Sequence, residues 1–136
     1  DPSTAFMLID FHVTNEDYNA AIKATDKTIL FWGEDPALIH LKANLAFLQN
    51  DMESAIGYAK KTIQLEPDFG DAYYTLTALQ EEVRDFDGLS QTLAAVRQQF
   101  DDTFTPSRLN ELFNLPNYEN SEQFKQALER NSFKTE

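Results

Sequence analysis

The strongest constraint on this chain is that its sequence repeats with a period of about 34 residues, which is a typical length for a helical repeat. A fixed period in this range indicates stacked helical hairpins, in which each hairpin leans only on its neighbours. The pattern continues, with fewer identities, one period further along the chain. The identities between the first and second periods pair Asp1-Pro2 with Asp35-Pro36, Asp17 with Asp51, Ala21-Ile22 with Ala55-Ile56, and Lys27-Thr28-Ile29 with Lys61-Thr62-Ile63.

Each period predicts two amphipathic helices joined by a short polar turn. Asp35-Pro36 places a capping side chain before a proline, whose missing N–H suits the first helical turn, and Asp1-Pro2 and Thr105-Pro106 have the same pattern. Gly33 can adopt a left-handed stop after the second helix, and Pro67 prevents continuation of the fourth. We therefore predict six repeat helices, at about Asp1–Thr14, Tyr18–Trp32, Pro36–Leu48, Met52–Leu65, Gly70–Val83 and Gly88–Phe100.

The first predicted helix is apolar on more than one side. Phe6, Leu8, Ile9, Phe11 and Val13 are too many for a single stripe, so we expect this helix to be covered on two sides. Large aromatic side chains are more often core residues than ligand contacts. Those that we expect in the core are Phe11, Trp32, Tyr58, Tyr73 and Phe86.

The segment after the third period has a different pattern. Thr105-Pro106 begins a short helix that ends near Phe113, and Asn120 with Gln123 fits a capping box for a last helix that ends near Arg130. A terminal repeat needs a polar outer face, so we expect this tail to cap the open end of the stack. The side chains predicted to bury against the sixth helix are Leu109, Leu112, Phe113, Tyr118 and Phe124.

Charge restricts the class of partner. The chain has 136 residues, a length typical of one domain, with 11 basic against 23 acidic residues and a net charge of −12. Nucleic-acid binding needs a basic face that displaces counterions from phosphates, and an acidic membrane surface would repel this chain. No run approaches the roughly 18 apolar residues of a membrane span. We expect no nucleic acid and no membrane insertion, and a preference for basic or apolar partners.

The sequence carries no motif for catalysis or for a cofactor. It has no cysteine, so thiolate metal sites and cysteine nucleophiles are excluded, and it has neither a phosphate-binding loop nor a nucleophile elbow. His12 and His40 are the only histidines, and we interpret them as structural and hydrogen-bonding residues rather than metal ligands. We expect a soluble, non-enzymatic protein without cofactors. The cytoplasm is favoured over the periplasm. The absence of a starting Met and of a targeting segment suggests a mature product or a piece of a longer protein.

The segment 36–69 resembles the tetratricopeptide repeat, a helix–turn–helix unit of about 34 residues. Its turn, Asn50-Asp51-Met52-Glu53, is similar to the family's Gly-Asp-Tyr-Glu, and Pro67 matches the closing proline. Ala43 and Ala55 match the small residues at which the two helices cross. The resemblance extends over Pro2–Thr103. The outer repeats depart from the pattern, with Gly33 and Asp101 at the proline position and Leu89 in place of a small residue.

This resemblance implies an all-α fold of TPR-like antiparallel hairpins in a right-handed superhelix, followed by a helical cap. The repeats would span about 2–35, 36–69 and 70–103, with capping helices at about 105–130, in one domain of residues 1–136. It also implies that the first helix of each hairpin lines a concave groove that binds a peptide or helix of a partner protein. The groove residues matched by position are Phe6, Met7, Asp10, His40, Leu41, Asn44, Phe47, Asp71, Tyr74, Thr75 and Ala78.

The groove composition indicates what kind of segment would bind. One subclass of the family clamps a C-terminal carboxylate with Lys, Arg and Asn, but the matching positions here hold no cation and include Asp10 and Asp71. We therefore expect a partner with apolar anchors and basic flanks. Phe6, Phe47 and Tyr74 are the expected anchors. Two alternatives stay open, a homo-oligomer formed through an exposed apolar face and a regulatory or anchoring appendage of a larger protein.

Overall fold

The computed structural model describes residues 2–116 and 121–131, and over these residues the chain is all-α. The predicted cap at Asp1, the predicted burial of Tyr118 and the capping residue Asn120 lie outside this range. Eight helices and no strand are present in the described part. They are α1 (Pro2–Thr14), α2 (Tyr18–Trp32), α3 (Pro36–Leu48), α4 (Met52–Leu65), α5 (Gly70–Glu82), α6 (Phe86–Gln99), α7 (Pro106–Phe113) and α8 (Glu122–Arg130).

The sequence period is also a structural period. The first helices of the three hairpins, α1, α3 and α5, begin one full period apart, and so do the second helices, α2, α4 and α6. An aspartate precedes each second helix and accepts a hydrogen bond from the backbone N–H three residues later, which satisfies an otherwise unpaired helix donor. These caps are Asp17 to Ala20, Asp51 to Ser54 and Asp85 to Gly88.

The turn before each cap repeats as well. The residue just ahead of the capping aspartate has positive φ in every hairpin, 57° at Glu16, 60° at Asn50 and 58° at Arg84. The N–H of each capping aspartate then donates to a carbonyl oxygen of the first helix five residues earlier. Only a left-handed residue at this point reverses the chain tightly enough to close the hairpin.

Two predicted helix starts were wrong. α6 begins at Phe86 rather than Gly88, because Asp85 caps it in the same way as its equivalents cap α2 and α4. α8 begins at Glu122 and is capped by Ser121, whose Oγ accepts the Phe124 N–H at 3.2 Å. A short polar side chain in extended conformation is sufficient for this role, so neighbouring Asn and Ser residues compete for it.

The described chain separates into two compact units, 1–66 and 67–136. In the first unit, α1 packs on α2, α2 on α3 and α3 on α4. Ile9, Ala21 and Leu45 form a buried cluster in which α1, α2 and α3 meet. Ala43 and Ala55, the predicted crossing residues, are fully buried. Small side chains at these positions allow close approach of the helix backbones.

In the second unit, α5 packs on α6. Of the two tail helices, α7 packs on α5 and α8 packs on α6. The ring of Phe124 in α8 is buried and stacks on Phe86 of α6, with centroids 5.5 Å apart. Phe113 of α7 instead packs against Tyr74 of α5, at 4.8 Å. Leu109 is fully buried and Leu112 is half-buried. The tail therefore covers apolar surface of this unit, but Phe113 does so on α5 and not on α6 as predicted.

In the described residues, no helix has the length and apolar composition required to cross a bilayer.

Candidate binding surfaces

α1 is apolar almost all round but is covered on only one side by the rest of its unit. Ile9 is fully buried, and Val13 packs against the same cluster. Phe6, Met7, Leu8 and Phe11 are exposed, by 39%, 71%, 50% and 60%. We expected α1 to be covered on two sides, but among the described residues no element covers the second side. This helix therefore leaves uncovered apolar surface on opposite flanks, because successive residues turn by about 100°.

One flank of α1 and the outer side of α3 carry the groove residues predicted from the resemblance. Phe6 and Asp10 lie four residues apart, on one side of α1, and both are exposed. On α3, Asn44 is exposed and Phe47 is 50% exposed. Apolar anchors thus stand beside polar groups, as a binding face requires.

His40 and Leu41 are less open than these neighbours. Both are half-buried, and Leu41 packs against the Ile9–Ala21–Leu45 cluster. Leu41 therefore contributes to the core of the unit and presents only part of its side chain outward.

In the second unit, the predicted groove residues lie on α5. Asp71 and Ala78 are exposed, Thr75 is half-buried and Tyr74 is 51% exposed. One side of the Tyr74 ring is held by Phe113, with the two rings inclined by 48°. α7 therefore occupies part of the face that the resemblance assigned to a partner.

The opposite flank of α1 forms an open pocket with α2, with a volume of about 600 Å³. Its apolar lining comes from Leu8, Ala20, Ala24 and Leu30, with His12 beside them, and its charged rim comes from Lys23, Asp26 and Lys27. We call this the α1–α2 pocket. Leu30 is 88% exposed.

The α1–α2 pocket is not predicted by the sequence pattern, because apolar residues at helical spacing are expected in the core. A comparison of the first two repeats does indicate this pocket. Leu8 and Leu30 stand where the second hairpin has Lys42 and Gln64, so the first hairpin is apolar where the second is polar. The same reasoning placed Phe11 and Trp32 in the core, and both are at least half exposed. Tyr73 and Phe86 are buried as predicted, and Tyr58 is half-buried.

Electrostatics at the rim of the pocket are uneven. Asp26 forms an ion pair with Lys42 of α3 at 2.7 Å, and the Lys42 ammonium lies over the Tyr58 ring at 4.6 Å from its centroid. Burial lowers the pKa of Lys42, but the bonds to Asp26 and Tyr58 outweigh it, so the pKa is raised overall. Lys23 and Lys27 form no ion pair with any residue that the structure describes. The rim thus carries two uncompensated cations.

A second hollow, in the second unit, is polar and satisfied by its own side chains. Arg130 binds Asp87 at 2.6 Å across its edge, and Arg84 lies over the Phe86 ring at 5.1 Å. Within the described ranges, no three His, Asp or Glu side chains are grouped closely enough to hold a metal ion. This arrangement ties α8 to α6.

No protein-family model matches this chain, and no curated protein matches it significantly. The chemistry of these surfaces is therefore the basis for a functional assignment.

Proposed function

We propose that this protein is a non-enzymatic binding module of the tetratricopeptide type, which docks a peptide or helix of a partner protein on the exposed, groove-lining faces of its first helices. The observation that carries this proposal is the exposure of Phe6, Met7 and Phe47 on α1 and α3. Monomeric proteins seldom leave several large apolar side chains uncovered on adjacent elements unless the surface meets a partner.

The composition of these faces suits a protein segment with apolar anchors. Phe47 and Phe6 would bury their exposed rings under the partner, and truncation of such an anchor typically costs about 2 kcal/mol. Asn44 can both donate and accept a hydrogen bond, which matches the backbone of an extended or helical segment. Asp10 would favour a basic residue beside the apolar anchors.

The face on α5 supports the same role within the second unit. Phe113 packs against one side of the Tyr74 ring and restricts its motion, so this ring would lose less rotational freedom when it contacts a partner. Asp71 and Thr75 supply polar groups on the same helix. Because Tyr74→Ala would also remove an internal contact, Phe47 and Asn44 are the cleaner positions for a test.

The test starts from a displayed library of random peptides, selected on the full chain. We expect the selected peptides to share apolar anchors flanked by Lys or Arg. Titration calorimetry should then show at least tenfold weaker binding, or about 1.4 kcal/mol, to Phe47→Ala and to Asn44→Ala. The control is Gln64→Ala, at an exposed position of α4, which should bind as the wild type does.

Circular dichroism should show unchanged helix content in all three variants, since each changed residue is exposed. If the selected peptides bind Phe47→Ala and Asn44→Ala with wild-type affinity, the first-helix faces are not the binding surface and the proposal fails.

A further inference from the structure

The α1–α2 pocket lies on the side of the first hairpin that, in the second hairpin, packs against the preceding helix. One period along the chain, the equivalent face of the α3–α4 hairpin is partly covered by α2 and the residues after it. Three side-chain contacts define this coverage: Asp26 with Lys42, Glu34 with Lys61 and Asn19 with Gln49. The α3–α4 hairpin therefore shows what kind of element such a face accepts.

Counterparts of three residues at or beside this contact line the α1–α2 pocket. Lys42 corresponds to Leu8, Tyr58 to Ala24 and Lys61 to Lys27, each one full period earlier in the chain. The pocket is thus the first hairpin's copy of a surface that α2 and Glu34 partly cover on the second hairpin, where Lys42 is mostly buried and Gln64, the counterpart of Leu30, is exposed. In the described part of the chain, nothing covers this copy, and Leu8 and Leu30 are left exposed.

The differences between the two copies specify the occupant. On the second hairpin, Asp26 of α2 meets Lys42. Because Leu8 stands in the place of Lys42, the occupant of the pocket must present an apolar side chain at that point. Ala24 in place of Tyr58 removes an aromatic ring and leaves a hollow for a larger side chain. Lys27 is the counterpart of the lysine that Glu34 binds on the second hairpin, so the positive charge is retained. Lys23 adds a second positive charge at a position where that hairpin has Gly57.

We propose that the α1–α2 pocket binds an amphipathic helix of a partner protein, with an apolar stripe over Leu8 and Leu30 and an acidic side chain that meets Lys27. The charges of the rim favour this occupant. Asp26 is already neutralised by Lys42, so Lys23 and Lys27 attract an acidic group. Symmetric pairing of two copies through this face would bring the same lysines toward each other, which is unfavourable.

This site is separate from the first-helix faces. Leu8 and Phe6 are two positions apart in α1, which places them about 200° apart around the helix. A partner on Phe6 and a helix on Leu8 would therefore contact opposite flanks of α1. The two sites can be inactivated independently, so failure of one proposal leaves the other standing.

The probe is a fluorescein-labelled peptide with the sequence of residues 17–35, which contains α2, carrying the change Asp26→Leu. This segment already packs against part of the equivalent face of the second hairpin, and the substitution is designed to place an apolar side chain over Leu8. We expect saturable binding to the full chain by fluorescence anisotropy. The unsubstituted peptide should bind at least tenfold more weakly, because it would press a carboxylate against Leu8.

Three variants of the full chain locate the binding. Leu30→Glu should weaken binding of the substituted peptide at least tenfold, whereas Leu65→Glu, the same change at an exposed leucine of α4, should leave it unchanged. Lys27→Glu should also weaken binding at least tenfold. A peptide that further carries Glu34→Lys should restore binding to Lys27→Glu while losing affinity for the wild type.

Phe47→Ala should bind the substituted peptide normally, which separates this site from the first-helix faces. The proposal is overturned if no saturable binding occurs, or if Leu30→Glu and Lys27→Glu bind the peptide as tightly as the wild type. It is also overturned if sedimentation shows a wild-type dimer that Leu30→Glu converts to a monomer, because the face would then belong to a second copy.

Discussion

At the scale of single residues, Lys42 shows how one substitution distinguishes the two hairpins of the first unit. Its side chain is 16% exposed, between Asp26 of α2 and the ring of Tyr58. A buried ammonium is tolerated only when a partner compensates its lost hydration. The equivalent Leu8 has no such requirement, which is why the two faces accept helices of different chemistry.

Lys42 should make the stability of the protein depend on alkaline pH. Its pKa in the folded protein is raised above 10.5, so the folded state retains the proton longer than the unfolded state does. This contribution to the free energy of unfolding is complete below about pH 10.5 and is lost as the pH rises through the folded pKa. In Lys42→Arg the side chain stays charged, so stability should fall less steeply above that pH.

Urea unfolding followed between about pH 9 and pH 11.5 measures this difference, since that range spans the lysine pKa. Lys60→Arg, at an exposed position of α4, is the control and should follow the wild-type profile. Identical profiles for Lys42→Arg and the wild type would show that Lys42 is not the group responsible.

Residue types predicted the caps well and the exposure of aromatics poorly. Asp35 and Thr105, both predicted as caps, accept from backbone N–H groups within three residues, so local sequence determines their role. Whether Phe11 or Trp32 is buried depends on which element lies beside it, and the sequence of its own helix does not contain that information. Phe6 and Phe47, which the match to the repeat predicts as groove residues, are exposed.

At the scale of elements, the hairpin turns are the most regular feature of the chain. Their left-handed position is nevertheless occupied by different residue types. A left-handed backbone costs an ordinary side chain roughly 1 kcal/mol more than it costs Asn or Gly. Asn50 suits its φ of 60°, whereas Glu16 occupies the same place at 57° without that advantage. Both side chains are exposed, so backbone preference should dominate the effect of a change.

Exchanging the two residue types tests this preference within one protein. Glu16→Asn should raise the free energy of unfolding by up to about 1 kcal/mol, and Asn50→Glu should lower it by a similar amount. Equilibrium urea unfolding measures both changes. Shifts of the same sign in the two variants would show that the φ preference does not determine the stability of these turns.

The sequence predicted most helix ends because each is fixed locally by a cap, a proline or a glycine. Pro67 stops α4 after Leu65, and Gly33 ends α2 with a φ of 95°. The start of α6 was misplaced although Asp85 repeats the cap of the other hairpins, because Gly88 was taken as the first helical residue. The packing of Phe113 on α5 required a choice between two apolar faces, and helical periodicity alone does not make that choice.

At the scale of the whole molecule, the two units leave different amounts of apolar surface uncovered. In the first unit, Leu8, Leu30 and Phe47 are exposed and mark the two proposed binding sites. In the second unit, α7 and α8 cover helix surfaces with residues from outside the repeat. The net charge of −12 leaves Lys23 and Lys27 as a local exception on an acidic chain. Specificity of the α1–α2 pocket therefore rests on charge as well as shape.

The covering of α6 by α8 should account for a large part of the stability of the second unit. The side chain of Phe124 is 0% exposed and stacks on Phe86. Truncation of a buried Phe removes its contacts and leaves a cavity, so Phe124→Ala should lower the free energy of unfolding by about 3–5 kcal/mol. Gln126→Ala, at an exposed position of the same helix, should change it by less than about 0.5 kcal/mol. Thermal unfolding followed by circular dichroism measures both, and equal melting temperatures for the two variants would show that α8 is not part of the cooperative core.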